Sequence, residues 1–146
     1  RGHDLIERRG YNFRLTEFQS AVGVAQLSKG PYFAKKKKEI LKKYISKIDH
    51  MSDINIFNFS DDIVPHRIVA ITDKSEKLID YLVSNGIGAR TLFKPMHSQP
   101  CYGISHSYPN SELLFEKGLE LPSYPDLTDI QIDYICNTIK EYYGVI

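Results

Sequence analysis

Two groups of polar side chains in this sequence have the types and spacing to do chemistry. Asn12 and Arg14 stand just ahead of Thr16 and Gln19, a T-x-x-Q pair that makes a capping box at a helix N-terminus. A neutral amide and a guanidinium held beside an anchored helix suit an anion, since a fixed scaffold lowers the cost of ordering them. Arg90, Lys94 and His97 form the second group, at the head of a loop bounded by Pro95, Pro100 and Pro109. They are three potential cations on a segment long enough to be a binding loop. His97, Cys101 and His106 could be read as zinc ligands. They supply only three donors in no common structural pattern, so no metal is expected. No signature links Cys101 to a base, so it is not read as a nucleophile.

The elements that must position these residues follow from periodicity. Phe18, Ala21, Val22 and Ala25 form one apolar face of a helix over about 17–28, which the Gly30-Pro31 pair closes. A second helix runs from about Tyr32 to Ile48, with Leu41, Tyr44, Ile45 and Ile48 as its stripe. Lys35 to Lys38 spread around most of that helix and lack interleaved aromatics, so a solvated face is expected rather than a nucleic-acid patch. Residues 54–59 and 67–71 read as an antiparallel strand pair across the turn Ser60-Asp61-Asp62. Ser75 caps a helix of about 76–84 ended by Asn85-Gly86, and residues 87–93 return as a strand. A short helix near 111–117, an extended stretch 119–121 and a last helix opened by Thr128 and Gln131 complete the order. Strands and helices so mixed predict an α+β layer arrangement.

Composition excludes several classes. The chain has 146 residues, 42% hydrophobic and 25% charged, ordinary for a soluble domain with a real core. A net charge of +1 gives no reason to expect nucleic acid or an anionic membrane. No apolar run approaches the ~20 residues that span a bilayer. Two distant cysteines suit a reducing compartment, with cytoplasm the default.

Gly10 to Leu27 reads G-Y-N-F-R-L-T-E-F-Q-S-A-V-G-V-A-Q-L. It closely resembles the signature G-[YF]-N-[YF]-R-[LM]-[ST]-[ED]-[LFI]-Q-[AS]-A-[IVL]-G-x-x-Q-L of the DegT/DnrJ/EryC1/StrS family, pyridoxal-phosphate (PLP) enzymes acting on nucleotide-linked keto-sugars. Two weaker echoes follow in the family's order. Lys94 to Tyr102, K-P-M-H-S-Q-P-C-Y, is similar to its [KR]-P-[LM]-H-x-Q-P-x-[YF] loop. Leu121 to Thr128, L-P-S-Y-P-D-L-T, is similar to its L-P-[SM]-[YH]-P-x-L-[ST] segment. The likeness spans essentially the whole chain but only the C-terminal part of the family.

What the resemblance implies is specific. The fold would be the small C-terminal domain of the aspartate-aminotransferase fold (PLP fold type I), preceded by connecting helices, with the large PLP-binding domain absent. Residues 1–48 would be the end of the large domain and those helices, and residues 49–146 the small domain. The motif asparagine, Asn12 here, would reach the PLP phosphate of the neighbouring subunit of a homodimer, with Arg14 beside it. His97, with Lys94 and Arg90, would contact the diphosphate or sugar hydroxyls of the nucleotide-sugar. Arg1-Gly2-His3-Asp4 looks like an element just past the Schiff-base lysine, so the chain is expected to be a fragment unable to transaminate alone. The intact protein would move an amino group from an amino acid, usually glutamate in this family, to a keto-sugar nucleotide, in cell-surface polysaccharide or modified-sugar synthesis. Relatives with histidine in place of that lysine dehydrate or deoxygenate the sugar instead. A stand-alone dimerisation or nucleotide-sugar-binding module is the reading from another class.

Overall fold

The computed structural model describes residues 10–11, 14–48, 50–103 and 106–145. Its elements, in chain order, are α1 (Glu17–Leu27), α2 (Gly30–Ile48), β1 (Asn55–Ile56), β2 (Ile68–Ile71), α3 (Ser75–Ser84), β3 (Arg90–Thr91), α4 (Pro109–Lys117), β4 (Gly118–Leu121) and α5 (Asp129–Tyr143). A short 3-10 turn, Met96–Ser98, stands between β3 and α4.

The four strands form one antiparallel sheet in the order β1-β2-β4-β3. Register puts Ile68 opposite Leu121, Ala70 opposite Leu119, and Thr91 also opposite Leu119. Alternation then points Ile68, Ala70, Leu119 and Leu121 to one face, where all are 2% exposed or less. The core against them comes from α2 (Leu41, Tyr44, Ile48), α3 (Leu78, Leu82) and α5 (Ile132, Ile135, Ile139). Helix α5 lies between the other two, packing on both α2 and α3. Burying an aliphatic side chain stabilises by about 1.5–3 kcal/mol, so this layer carries the fold. Tyr44 brings a polar atom into it and satisfies it, its hydroxyl donating to the Pro122 carbonyl at 3.0 Å.

The capping boxes expected at Thr16 and Thr128 are both formed. Gln19 N–H donates to Thr16 Oγ1 at 3.3 Å while Thr16 N–H donates to Gln19 Oε1 at 2.9 Å, and Thr128 with Gln131 repeats the same two distances.

Five local readings are corrected. Gly30 opens α2 instead of closing α1, because Pro31 fits a first turn that needs no N–H from it. Ser75 is the first residue of α3 and not its cap, since its hydroxyl donates to the Glu116 carbonyl at 2.7 Å. The strand expected over 87–93 shortens to Arg90–Thr91, because Ile87 and Ala89 N–H groups are used in turns back to Leu82 and Ile87. The strand expected over 54–59 shortens to Asn55–Ile56, although Phe57 N–H still reaches Val69 O at 2.8 Å. The lysine run is only partly a solvated face. Lys35 and Lys36 pair with Glu39, but Lys37 donates to His66 O at 2.9 Å and Ser123 Oγ at 3.2 Å, and Lys38 to the Asp61 carbonyl. Burial, and then the Arg67 charge, hold the Lys37 ammonium below its ordinary range.

The apolar face read for α1 exists as a helix face but is not buried. Phe18 is 80% exposed and Val22 48%, and no residue of α1 lies in the core.

Candidate functional site

The loop after β3 is built to hold one imidazole. Ser98 folds back on Pro95, its N–H and hydroxyl both donating to the Pro95 carbonyl at 3.0 and 2.7 Å, and Gln99 N–H closes on Met96 O at 3.1 Å. Gln99 is itself buried, which pins the end of the turn. His97, in the middle of that turn, has a side chain only 12% exposed. Its Nε2 lies 3.0 Å from Glu112 Oε1, and its ring sits 4.8 Å, centre to centre, from the ring of Tyr108.

Glu112 belongs to the first turn of α4, where the helix leaves N–H groups without partners. Tyr108, the residue before that helix, has no side-chain cap bond of its own. Glu112 supplies the missing acceptor, taking Tyr108 N–H at 3.0 Å, and Ser107 Oγ approaches its two oxygens at 3.1 and 3.0 Å. The Tyr108 amide first, then the Ser107 hydroxyl and His97, hold the Glu112 carboxyl below the usual carboxylate range. Thus the carboxylate is both helix cap and histidine anchor.

Arg90 points elsewhere. It pairs across the sheet with Glu120, which alternation sends to the face opposite the core and whose side chain is only 6% exposed. Arg90 Nε donates to Glu120 Oε2 at 2.7 Å, and Arg67 Nε approaches the same oxygen at 3.6 Å. The Arg90 guanidinium also lies 5.3 Å above the centre of the exposed Phe93 ring. The three expected cations therefore do not act as one cluster: Arg90 is committed to Glu120 and His97 to Glu112. Lys94 is half-buried in the segment joining β3 to the 3-10 turn.

Arg14 is exposed two residues before the Thr16 cap of α1, so its guanidinium is open to an anion. Asn12 lies outside the described residues. The residues that sequence reasoning did not nominate are Glu112, Glu120, Arg67 and Tyr108. Only the alternation of Leu119-Glu120-Leu121 hints at any of them, since it marks Glu120 as facing away from its apolar neighbours.

An antiparallel sheet covered on one side by helices, with a histidine loop after its edge strand and an exposed arginine just ahead of a capped helix, defines a small α+β fold class. The comparisons make that class a family. The model of the DegT/DnrJ/EryC1/StrS aminotransferase family matches residues 2–140, and the chain belongs to that family. It is 33% identical to the GDP-perosamine synthase of Escherichia coli O157:H7 over 97% of this chain and 39% of that protein. It is 28% identical to a dTDP-4-dehydro-2,6-dideoxy-D-glucose 3-dehydratase of Saccharopolyspora spinosa, over 91% of this chain and 32% of the other. Among solved structures, S. venezuelae DesV, in complex with a ketimine intermediate, superposes with a TM-score of 0.81 at 26% identity, over 93% of this chain and 38% of that one. The chain spans about two fifths of the length of the curated relatives it matches. Its fold is that of the small α+β part of these enzymes. Among the described residues, no helix is long and apolar enough to cross a membrane.

Proposed function

We propose that this chain is the C-terminal part of a PLP-dependent aminotransferase that transfers an amino group from an amino acid, glutamate by family habit, to a keto-sugar nucleotide. The observation that carries the reading is the family match over residues 2–140 together with the Gly10–Leu27 signature. PLP, when bound by the intact enzyme, supplies the electron sink for amino transfer. The chain's share of that cofactor site is Asn12 and Arg14, an amide donor and a guanidinium whose chemistry fits a phosphate. Both would serve the neighbouring subunit of a homodimer. His97 and Lys94 would contact the nucleotide-sugar, while Arg90, committed to Glu120, is left out of that contact. No lysine here is nominated to hold PLP, so this piece alone does not transaminate. The bare apolar face of α1 supports a piece that works packed against more protein, and weighs against a stand-alone binding module.

The likeness to the 3-dehydratase favours one second reading, a PLP-dependent dehydratase or deoxygenase of the same family. Borohydride reduction of the intact protein followed by mass measurement separates the two. A covalent pyridoxyl adduct is expected for the aminotransferase; before reduction, weaker PLP retention in Asn12→Ala would support the phosphate role, and unchanged PLP affinity would remove Asn12 from it. PLP bound without any adduct would point to the dehydratase. No PLP at all would remove both readings.

A further inference from the structure

We infer, on the reading of this chain as part of a nucleotide-sugar enzyme, that Phe93 is a stacking platform for the nucleobase and that Arg90 is the positioning residue holding its ring. Phe93 stands two residues past the edge strand β3, one before Lys94 and four before His97. It is 66% exposed. Single exposed apolar residues are ordinary on a protein surface. Phe93 differs in what its ring rests on. The Arg90 guanidinium lies 5.3 Å over the ring centre, and that guanidinium is itself tied down, its Nε donating to Glu120 Oε2 at 2.7 Å. Glu120 in turn is almost fully buried on β4, directly opposite Arg90 in the register.

The succession Glu120, Arg90, Phe93 backs an aromatic ring from the sheet while most of that ring stays open. A ring held in advance stacks a planar ligand at a low ordering cost. Every nucleobase has a π face, so such a platform adds affinity without reading hydrogen bonds. The guanidinium is drawn to the ring by its quadrupole and steadies it. Charge fits as well. Arg67 Nε approaches the same Glu120 oxygen at 3.6 Å, so two guanidiniums share one carboxylate and the excess is positive. A ligand that couples a planar base to an anionic diphosphate gains from both the ring and that excess. Four residues of chain span at most about 14 Å, so Phe93 and His97 can serve the two ends of one such ligand. Arg90, withdrawn from the diphosphate by Glu120, thus acts at the site through Phe93.

The test is calorimetric titration of the intact protein, PLP bound, with GDP, UDP and dTDP, and with inorganic pyrophosphate as the probe that lacks a base. Losing one stacked base corresponds to a factor of about five to a hundred, so Phe93→Leu should weaken each nucleoside diphosphate that the wild type binds by that factor. Pyrophosphate binding and the melting temperature should not move. Phe93→Tyr keeps the ring and should bind as the wild type does. Arg90→Ala should weaken the nucleoside diphosphates about two- to fivefold and again leave pyrophosphate unchanged. Equal weakening of pyrophosphate in Arg90→Ala would put the guanidinium on the phosphates and overturn its positioning role. Unchanged nucleoside diphosphate binding in Phe93→Leu overturns the platform and leaves the nucleotide-sugar reading standing; a lowered melting temperature in that variant would assign the ring to packing. If the wild type binds none of the three nucleoside diphosphates, the nucleotide-sugar reading fails and the platform with it.

Discussion

Glu120 shows how much one carboxylate can be asked to do. Its side chain is almost fully buried on the face of the sheet away from the core, and its Oε2 is approached by Arg90 and Arg67. Desolvating a carboxylate is costly, and the two guanidiniums, each about half-exposed, offset that cost while keeping their own heads wet. Removing the carboxylate leaves like charges facing each other across β4. Glu120→Ala is expected to lower unfolding free energy by about 2 kcal/mol, less than for a fully buried pair because the arginines stay solvated. Glu120→Gln should lose roughly half of that, since the amide oxygen still accepts. Urea unfolding of the two variants checks both, and no change in either would mean that the arginines are indifferent to Glu120. Such a pairing could not be read from sequence. Arg67, Arg90 and Glu120 lie 23 and 30 residues apart, and only strand register brings them together. His97 stood out in the sequence as a loop histidine between prolines, but its partner Glu112 was hidden in what looked like an ordinary first helical turn.

Among the elements, the junction of α4 and β4 is the tightest. Gly118 follows the last residue of the helix directly, with φ of −87° that any residue could adopt, so conformation does not demand glycine there. Space does. A Cβ would lie 2.3 Å from the Leu114 carbonyl oxygen and 2.3 Å from Leu92 Cδ1. The leucine could yield, but the carbonyl is backbone of the last turn. Gly118→Ala is expected to cost about 2–3 kcal/mol through displacement of α4, and adding Leu92→Ala should restore only part of it. A thermal melt that matches the wild type would show that α4 slides freely on the sheet. Elements of this sort were the most legible part of the fold. Capping boxes at Thr16 and Thr128 and the stripes of α2, α3 and α5 are local signals, written within one or two turns. Strand lengths were not, because 54–59 and 87–93 have strand-like composition while the number of paired residues depends on partners distant in sequence.

For the whole molecule, acid is the condition that separates its electrostatics from its core. Asp129 with Lys43, Asp73 with Lys117 and Glu112 with its donors all have carboxyls held below their ordinary range, in each case first by a hydrogen bond. A depressed carboxyl stabilises fully above its unfolded pKa and loses that contribution as pH falls through its folded value. Stability should therefore be level with respect to these groups at neutral pH and decline once pH drops below about 4. Urea midpoints measured against pH would reveal it, and a decline already under way at pH 6 would have to come from other groups. The small sheet core explains why the chain can fold around α2, α3 and α5. It does not explain α1. That helix is eleven residues long, shorter than the ~12–15 at which even favourable isolated helices hold together in water, and it buries none of its side chains here. Its capping box fixes where it starts but adds only about 1 kcal/mol. Ordering α1 and covering it are consequently one thermodynamic event: whatever protein surface receives Phe18 and Val22 must also supply the entropy of winding the helix, so measured affinity at that face will understate the contact it makes.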